Sequence, residues 1–318
     1  MSRPSLRLWS RSWLAATLAV ILLSGSTLIA AAQDDNSELA KELPPVDLPT
    51  MNAQGFVFNV QATYNGTPSG TPSDAPVYSM TLQSLDGDQA KALADALEIG
   101  ADVQDQGNGT YSANGNGKLF VTPGLAQYVA PGASPEGDLA SDSDVIAAAR
   151  EWLRSKGQLP ANIGDGTIQD KVDNPAQAIV VFLPVSPSPL ISSIPSISVT
   201  VGANNTIVEA SWRWGDISQS DTYQLRPLDQ AWMEVVEHRS YVNTTLPADT
   251  YPDGSTIEGS AIYSSVSLAW APSGVPGEQQ YLQPVYVFTG KLTPKDSQES
   301  YAITAYVPAL ANSKQPVG

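Results

Sequence analysis

Apolar and polar positions alternate along residues 54–64, with Phe56, Phe58 and Val60 on one side and polar neighbours on the other. That period of two predicts a strand with one buried face. Residues 76–84 repeat the pattern less regularly through Val77, Met80 and Leu82. Asp86-Gly87-Asp88 then opens a short helix with Leu93, Ala94 and Leu97 on one stripe, and Gly100 stops it. Tyr111 and residues 118–121 flank Asn114-Gly115-Asn116-Gly117, a hairpin turn signal. The clearest helix spans 144–156: Ser141-Asp142-Ser143-Asp144 supplies caps and negative charge at its start, and Val145, Ala149, Trp152 and Leu153 form its apolar stripe. An apolar run at 179–185 reads as a buried strand, and 197–201 and 207–214 read as a hairpin around Gly202-Ala203-Asn204-Asn205. A third helix runs from Pro227 to about Arg239, striped by Leu228, Ala231, Trp232, Val235 and Val236, with Asp229 as its expected cap. Strands are expected at 257–270, 281–291 and 301–307, the last two paired.

Residues 141–214 and 227–307 share one order, a capped amphipathic helix followed by strands, with one inward tryptophan on each helix, Trp152 and Trp232. This predicts an α+β fold of antiparallel sheets, each packed by a single amphipathic helix. Two related C-terminal units, 141–226 and 227–310, would follow an N-terminal α+β unit at 51–130. Residues 131–140 are rich in Pro, Gly and Ser and read as a linker, and 311–318 as a tail.

The N-terminus adds an address. Arg3, Arg7 and Arg11 precede the uncharged stretch 13–32, and Ala30-Ala31-Ala32 before Gln33 fits a small-x-small cleavage site. Its 20 residues also match the length needed to span a bilayer. Residues 1–32 are thus a signal peptide or an uncleaved signal anchor, and either places the bulk of the chain outside the cytoplasm. Residues 33–50 are acidic and proline-bearing and read as a stalk. The 318 residues hold 16 Lys and Arg against 32 Asp and Glu, a formal charge of −16 that becomes −19 without residues 1–32. Such a chain repels nucleic-acid phosphates and anionic lipid surfaces.

Chemistry narrows further. No cysteine is present, which excludes disulfides, thiolate metal sites, a cysteine nucleophile and a lipid-anchored lipoprotein. The one histidine, His238, falls at the end of the third helix, which suits a surface position at the negative helix terminus. No Ser-x-x-Lys, His-Glu-x-x-His, Gly-x-Ser-x-Gly or phosphate-cradling glycine motif occurs. The turn glycines at 115 and 117 do not continue into a dinucleotide fingerprint, and a calcium loop counted from Ser112 ends on Pro123 where glutamate is required. Paired carboxylates acting as a hydrolase stay open, since only their separation in space matters. Trp212 and Trp214, at i and i+2, share one strand face. With Trp270 and Tyr286 they form a candidate ligand or partner surface, or else core. Four Asn-x-Ser/Thr sequons occur, at Asn65, Asn108, Asn204 and Asn243.

Three stretches, SDSDVIAAAREWLRSKGQLP, ISVTVGANNTIVEASWRW, and LDQAWMEVVEH followed by YLQPVYVFTG and YAITAYVP, resemble the PepSY-like extracytoplasmic modules of bacterial regulatory proteins of the YycH/YycI type. The resemblance covers residues 141–310. It implies a non-enzymatic module that hangs from one N-terminal membrane helix and restrains another envelope protein, with no catalytic residues and no cofactor. A secreted wall-glycan or peptide-binding module is the alternative. The Ala30–Ala32 site departs from the tethered pattern, because cleavage there would remove the membrane helix.

Overall fold

The structure is a computed structural model and describes residues 43–48, 55–132, 136–173, 175–247, 249–274 and 280–311. Residues 1–42, which hold the apolar segment and its Ala30, Ala32 and Gln33, lie outside the described residues. In chain order the elements are β1 (Val57–Tyr64), β2 (Asp74–Leu82), α1 (Gly87–Ala96), β3 (Gln104–Gly107), β4 (Thr110–Gly115), β5 (Gly117–Thr122), β6 (Leu125–Val129), α2 (Asp142–Ser155), β7 (Thr167–Asp173), β8 (Ala176–Phe182), β9 (Ser196–Gly202), β10 (Ile207–Arg213), β11 (Gly215–Gln224), α3 (Leu228–Val236), β12 (Tyr241–Thr244), β13 (Thr256–Ser273), β14 (Gln280–Pro294) and β15 (Tyr301–Pro308). The α+β reading holds broadly, with strands predominating.

Local chemistry starts and stops the helices. Asp86 caps α1 through a capping box: its carboxylate accepts from the Gln89 N–H at 2.8 Å, and Gln89 Oε1 accepts from the Asp86 N–H at 2.9 Å. Ser141 caps α2 by accepting from the Asp144 N–H. The expected cap of α3 is displaced. Pro227 occupies the cap position with no side-chain bond, and Asp229 lies in the first turn, next to the positive helix end. His238 follows α3 in the left-handed region (φ 57°) and is exposed, as a residue just past a helix end often is.

Eight strands form one antiparallel sheet in the order β3-β4-β5-β6-β10-β9-β8-β7. It consists of two four-stranded meanders, each preceded by a helix, joined where β6 pairs with β10. The expected Asn-Gly turn is present between β4 and β5, and it is docked as well as tight. Asn116 N–H donates to Ile99 O at 2.6 Å, and a Cβ on Gly115 would lie 2.3 Å from that same oxygen. α1 and α2 cover one face of the sheet. Leu93, Ala94, Val145, Ala149 and Leu153 pack there on Leu119, Val121, Val180, Val199 and Ala210.

The seven-stranded sheet runs β1-β13-β14-β15-β12, with β2 pairing β14 and β11 pairing β2. β1 is parallel to β13. α3 packs across this sheet, with Ala231 and Val235 buried and Trp232 edge-on to Tyr64 and Tyr263. Arg226, just before α3, pairs with Glu234 at 3.0 Å, both side chains being nearly buried.

Pairing redistributes the three units expected from the sequence. Residues 51–130 divide between the sheets, β1 and β2 in one and β3–β6 in the other. The 131–140 linker joins two halves of a single sheet through β6 and β10. The unit expected at 141–226 sends β11 into the seven-stranded sheet. The stalk also needs correction at its end. Residues 43–48 form a packed strap, with Leu43, Val46 and Leu48 buried and Val46 bridged to Ser273. Three apolar residues outweigh the prolines there, and the buried Gln283 side chain donates to the Pro44 carbonyl at 2.7 Å.

Candidate functional site: an open sheet face and the cavity at its end

The residues singled out as a ligand platform do not meet on a surface. Tyr286 is 1% exposed, its hydroxyl donates to Arg226 O at 2.9 Å, and burial pushes its pKa up. Trp212 is buried in the core of the eight-stranded sheet. There Trp152 stacks between it and Tyr128, with ring centroids 6.0 and 5.7 Å away. Its Nε1 is buried without a hydrogen-bond partner among the described residues. Trp214 is half-buried against the same core, so the shared face of the pair is an inward one. Trp270 belongs to the other sheet, half-buried, and its Nε1 donates to Pro76 O at 2.9 Å. Trp212 also borders a cavity of about 240 Å³ beneath α1, lined by Leu93, Ala126 and the glutamines 83, 89 and 158.

The more open surface is the other face of the eight-stranded sheet. β5 shows why it exists: Leu119 and Val121 point to the helices, while Lys118 and Phe120 alternate outward and are exposed. Cross-strand partners share a face, so the registers define a row. It runs from Thr167 to Val181, Ser198, Ser211, Gln127 and finally Phe120. Six strands at about 4.8 Å spacing make this row roughly 24 Å long. Phe120 is 44% exposed, and Val129, on the same face of neighbouring β6, is 42% exposed. Between them and β7 the face is mostly hydroxyl and amide.

At the β7 end the row runs under a roof. The loop after β8 crosses to the seven-stranded sheet, where Ile191 N–H donates to Trp270 O and Trp270 N–H to Pro189 O, each at 2.9 Å. Together with the strap it borders an open cavity of about 490 Å³. Val181, Leu183, Leu190, Ile191 and Pro272 give it apolar walls, Thr167, Gln169, Ser192 and Ser193 give polar groups, and Asp47 gives a carboxylate. Val181 sits on the open face yet is only 7% exposed because of this roof. No sequence pattern could have located the cavity, since its walls come from positions 47, 167–193 and 272.

Ionisable groups elsewhere pair locally. Lys156 bonds Glu98 at 2.7 Å and holds its carboxyl below the usual range, and Lys171 bonds Asp142 at 2.6 Å. Among the described residues no group of three or more Asp, Glu or His is placed to hold a metal, and no helix is long and apolar enough to cross a membrane.

The chain matches no family model and no curated protein. Solved structures similar to it include the following two. One is an uncharacterized protein from Eubacterium rectale, at 11% identity and a TM-score of 0.45, covering 82% of this chain and 91% of that one. The other is the Bacillus megaterium YpeB C-terminal domain, at 12% identity and a TM-score of 0.36, covering 74% of this chain and 98% of that one.

Proposed function

We propose that the chain is an exported, non-enzymatic binding module of the cell envelope, held at the membrane by its N-terminal apolar segment, whose open sheet face receives another envelope protein. This keeps the regulatory, PepSY-like role implied by the three resembling stretches. The observation that carries it is the one-sidedness of the eight-stranded sheet. One face is sealed by α1 and α2. The other presents Phe120 and Val129 beside a ladder of Ser, Thr and Gln. Exposed apolar anchors rimmed by polar groups mark protein interfaces.

Crosslinking the intact protein in its native cells, with partners identified by mass spectrometry, tests the reading. One stoichiometric membrane-protein partner is expected, lost at least tenfold in Phe120→Ser, as for an anchor residue worth about 2 kcal/mol. The mature N-terminus read from the same sample would lie upstream of Trp13. Partner capture unchanged by Phe120→Ser would overturn the assignment of the face. An N-terminus at Gln33 without a protein partner would leave the secreted glycan- or peptide-binding alternative.

A further inference from the structure

We propose that the cavity beside the strap binds an extended, basic peptide segment of mixed apolar and hydroxyl side chains, its cationic side chain paired with Asp47. The inference rests on the binding-module reading and names the chemistry of the partner segment. The cavity's volume of about 490 Å³ falls in the range that holds a few side chains, roughly 300–1,000 Å³. Its lining is divided evenly between apolar and polar residues, its charged lining residue is a carboxylate, and no cation lines it among the described residues. Asp47 is exposed and forms no ion pair with a described cation, so its charge is free to select a ligand. Lys171, two positions along β7 from Gln169, is already engaged by Asp142, and Asp170 beside Gln169 is a further acid.

Backbone geometry specifies an extended ligand. β7 ends the sheet, so one row of its N–H and C=O groups is unpaired within the described sheet. Thr167 and Gln169 both line the cavity, Gln169 as the extra residue where the β7–β8 register shifts between Ile168 and Asp170. A short peptide pairing with β7 at Thr167, before the bulge, would place a side chain in the cavity and its cation beside Asp47. The strap supplies that carboxylate. Asp47 N–H donates to Pro272 O at 2.7 Å, and Val46 is bridged to Ser273. Occupancy therefore holds in place the residues that lead back to the N-terminal segment.

The test uses the full chain in phosphatidylcholine nanodiscs and three fluorescein-labelled peptides, acetyl-Val-Lys-Val-Thr-Val-amide and its Gln and Glu versions. Fluorescence anisotropy should show saturable binding of the Lys peptide, about fivefold weaker binding of the Gln peptide, and none of the Glu peptide. Asp47→Asn should bring the Lys peptide down to the Gln level without changing the Gln peptide. Raising salt from about 20 mM to about 500 mM should weaken only the Lys peptide. Thr167→Arg, a change at an exposed position, should abolish binding with an unchanged thermal midpoint. Hydrogen exchange at the Asp47 amide should slow with the Lys peptide. Equal binding of Lys and Glu peptides, or of native and D47N protein, would overturn the inference, as would absence of binding by all three. If those results coincide with partner capture that still depends on Phe120, the binding-module reading stands and only this inference falls.

Discussion

Tyr263 lies 2% exposed on β13, against Trp232 of α3. Desolvation pushes its phenol well above the ordinary value near 10. The folded state thus favours the neutral form, and the unfolded chain gives up its proton first. Stability is intact below pH about 10 and falls as pH rises towards the folded-state value. Tyr286 and Tyr306 are raised by burial in the same direction. Urea unfolding followed from pH 7 to 11 should show this loss, with a shallower decline in Tyr263→Phe. The same burial decides the fate of the aromatic platform. A sequence shows that Trp212 and Trp214 share a face; it does not show whether that face meets solvent or a helix. Trp152 stacking on Trp212 settles that the face is internal.

Helices were the most legible elements, because their signals are local. Asp86 with Gln89, and Ser141 with Asp144, satisfy helix-start N–H groups within three residues. Ser141→Ala should cost about 1 kcal/mol, read as a lowered midpoint in thermal or urea unfolding, with binding at the open face unaffected. Strands were legible where one face is buried, as in β1, β5 and β10, and missed where that contrast is absent. Almost every position of β7 (TIQDKVD) is exposed because it is an edge strand. β11 (GDISQSDTYQ) is also mostly polar and finds its partner, β2, more than a hundred residues upstream. No period-2 signal survives in either segment, and pairing over such separations leaves no local trace.

At the scale of the molecule, the chain leaves one sheet and re-enters the other, so sequence neighbours are not sheet neighbours. The strap is the clearest case. Leu43, Val46 and Leu48 read as part of a stalk, yet they bury against a surface made by β13 and β14. Gln283 ties this together, its Nε2 donating to Pro44 O at 2.7 Å and to Ser273 Oγ at 2.6 Å. Gln283→Ala removes the donor to Pro44 O and one of the two bonds of the Ser273 hydroxyl, which still donates to Tyr281 O, at a cost of about 1–3 kcal/mol. Hydrogen exchange should then be faster at the Asp47 amide, where the strap detaches, and unchanged in α2, where it does not reach.

By itself the sequence determined the α+β class, the three helices and the caps of the first two, the Asn-Gly hairpin, and the exclusion of cysteine and multi-histidine chemistry. Each of these is fixed by residue types within a few positions of one another. Only the tertiary structure decided that β6 and β10 join two meanders into one sheet, that Tyr286 and Trp212 are interior, and that Asp47 and Pro272 meet Thr167 and Val181 around a cavity. Those outcomes depend on which faces find cover and which distant strands pair. Burial and long-range hydrogen bonding set both, and neither leaves a periodicity in the chain.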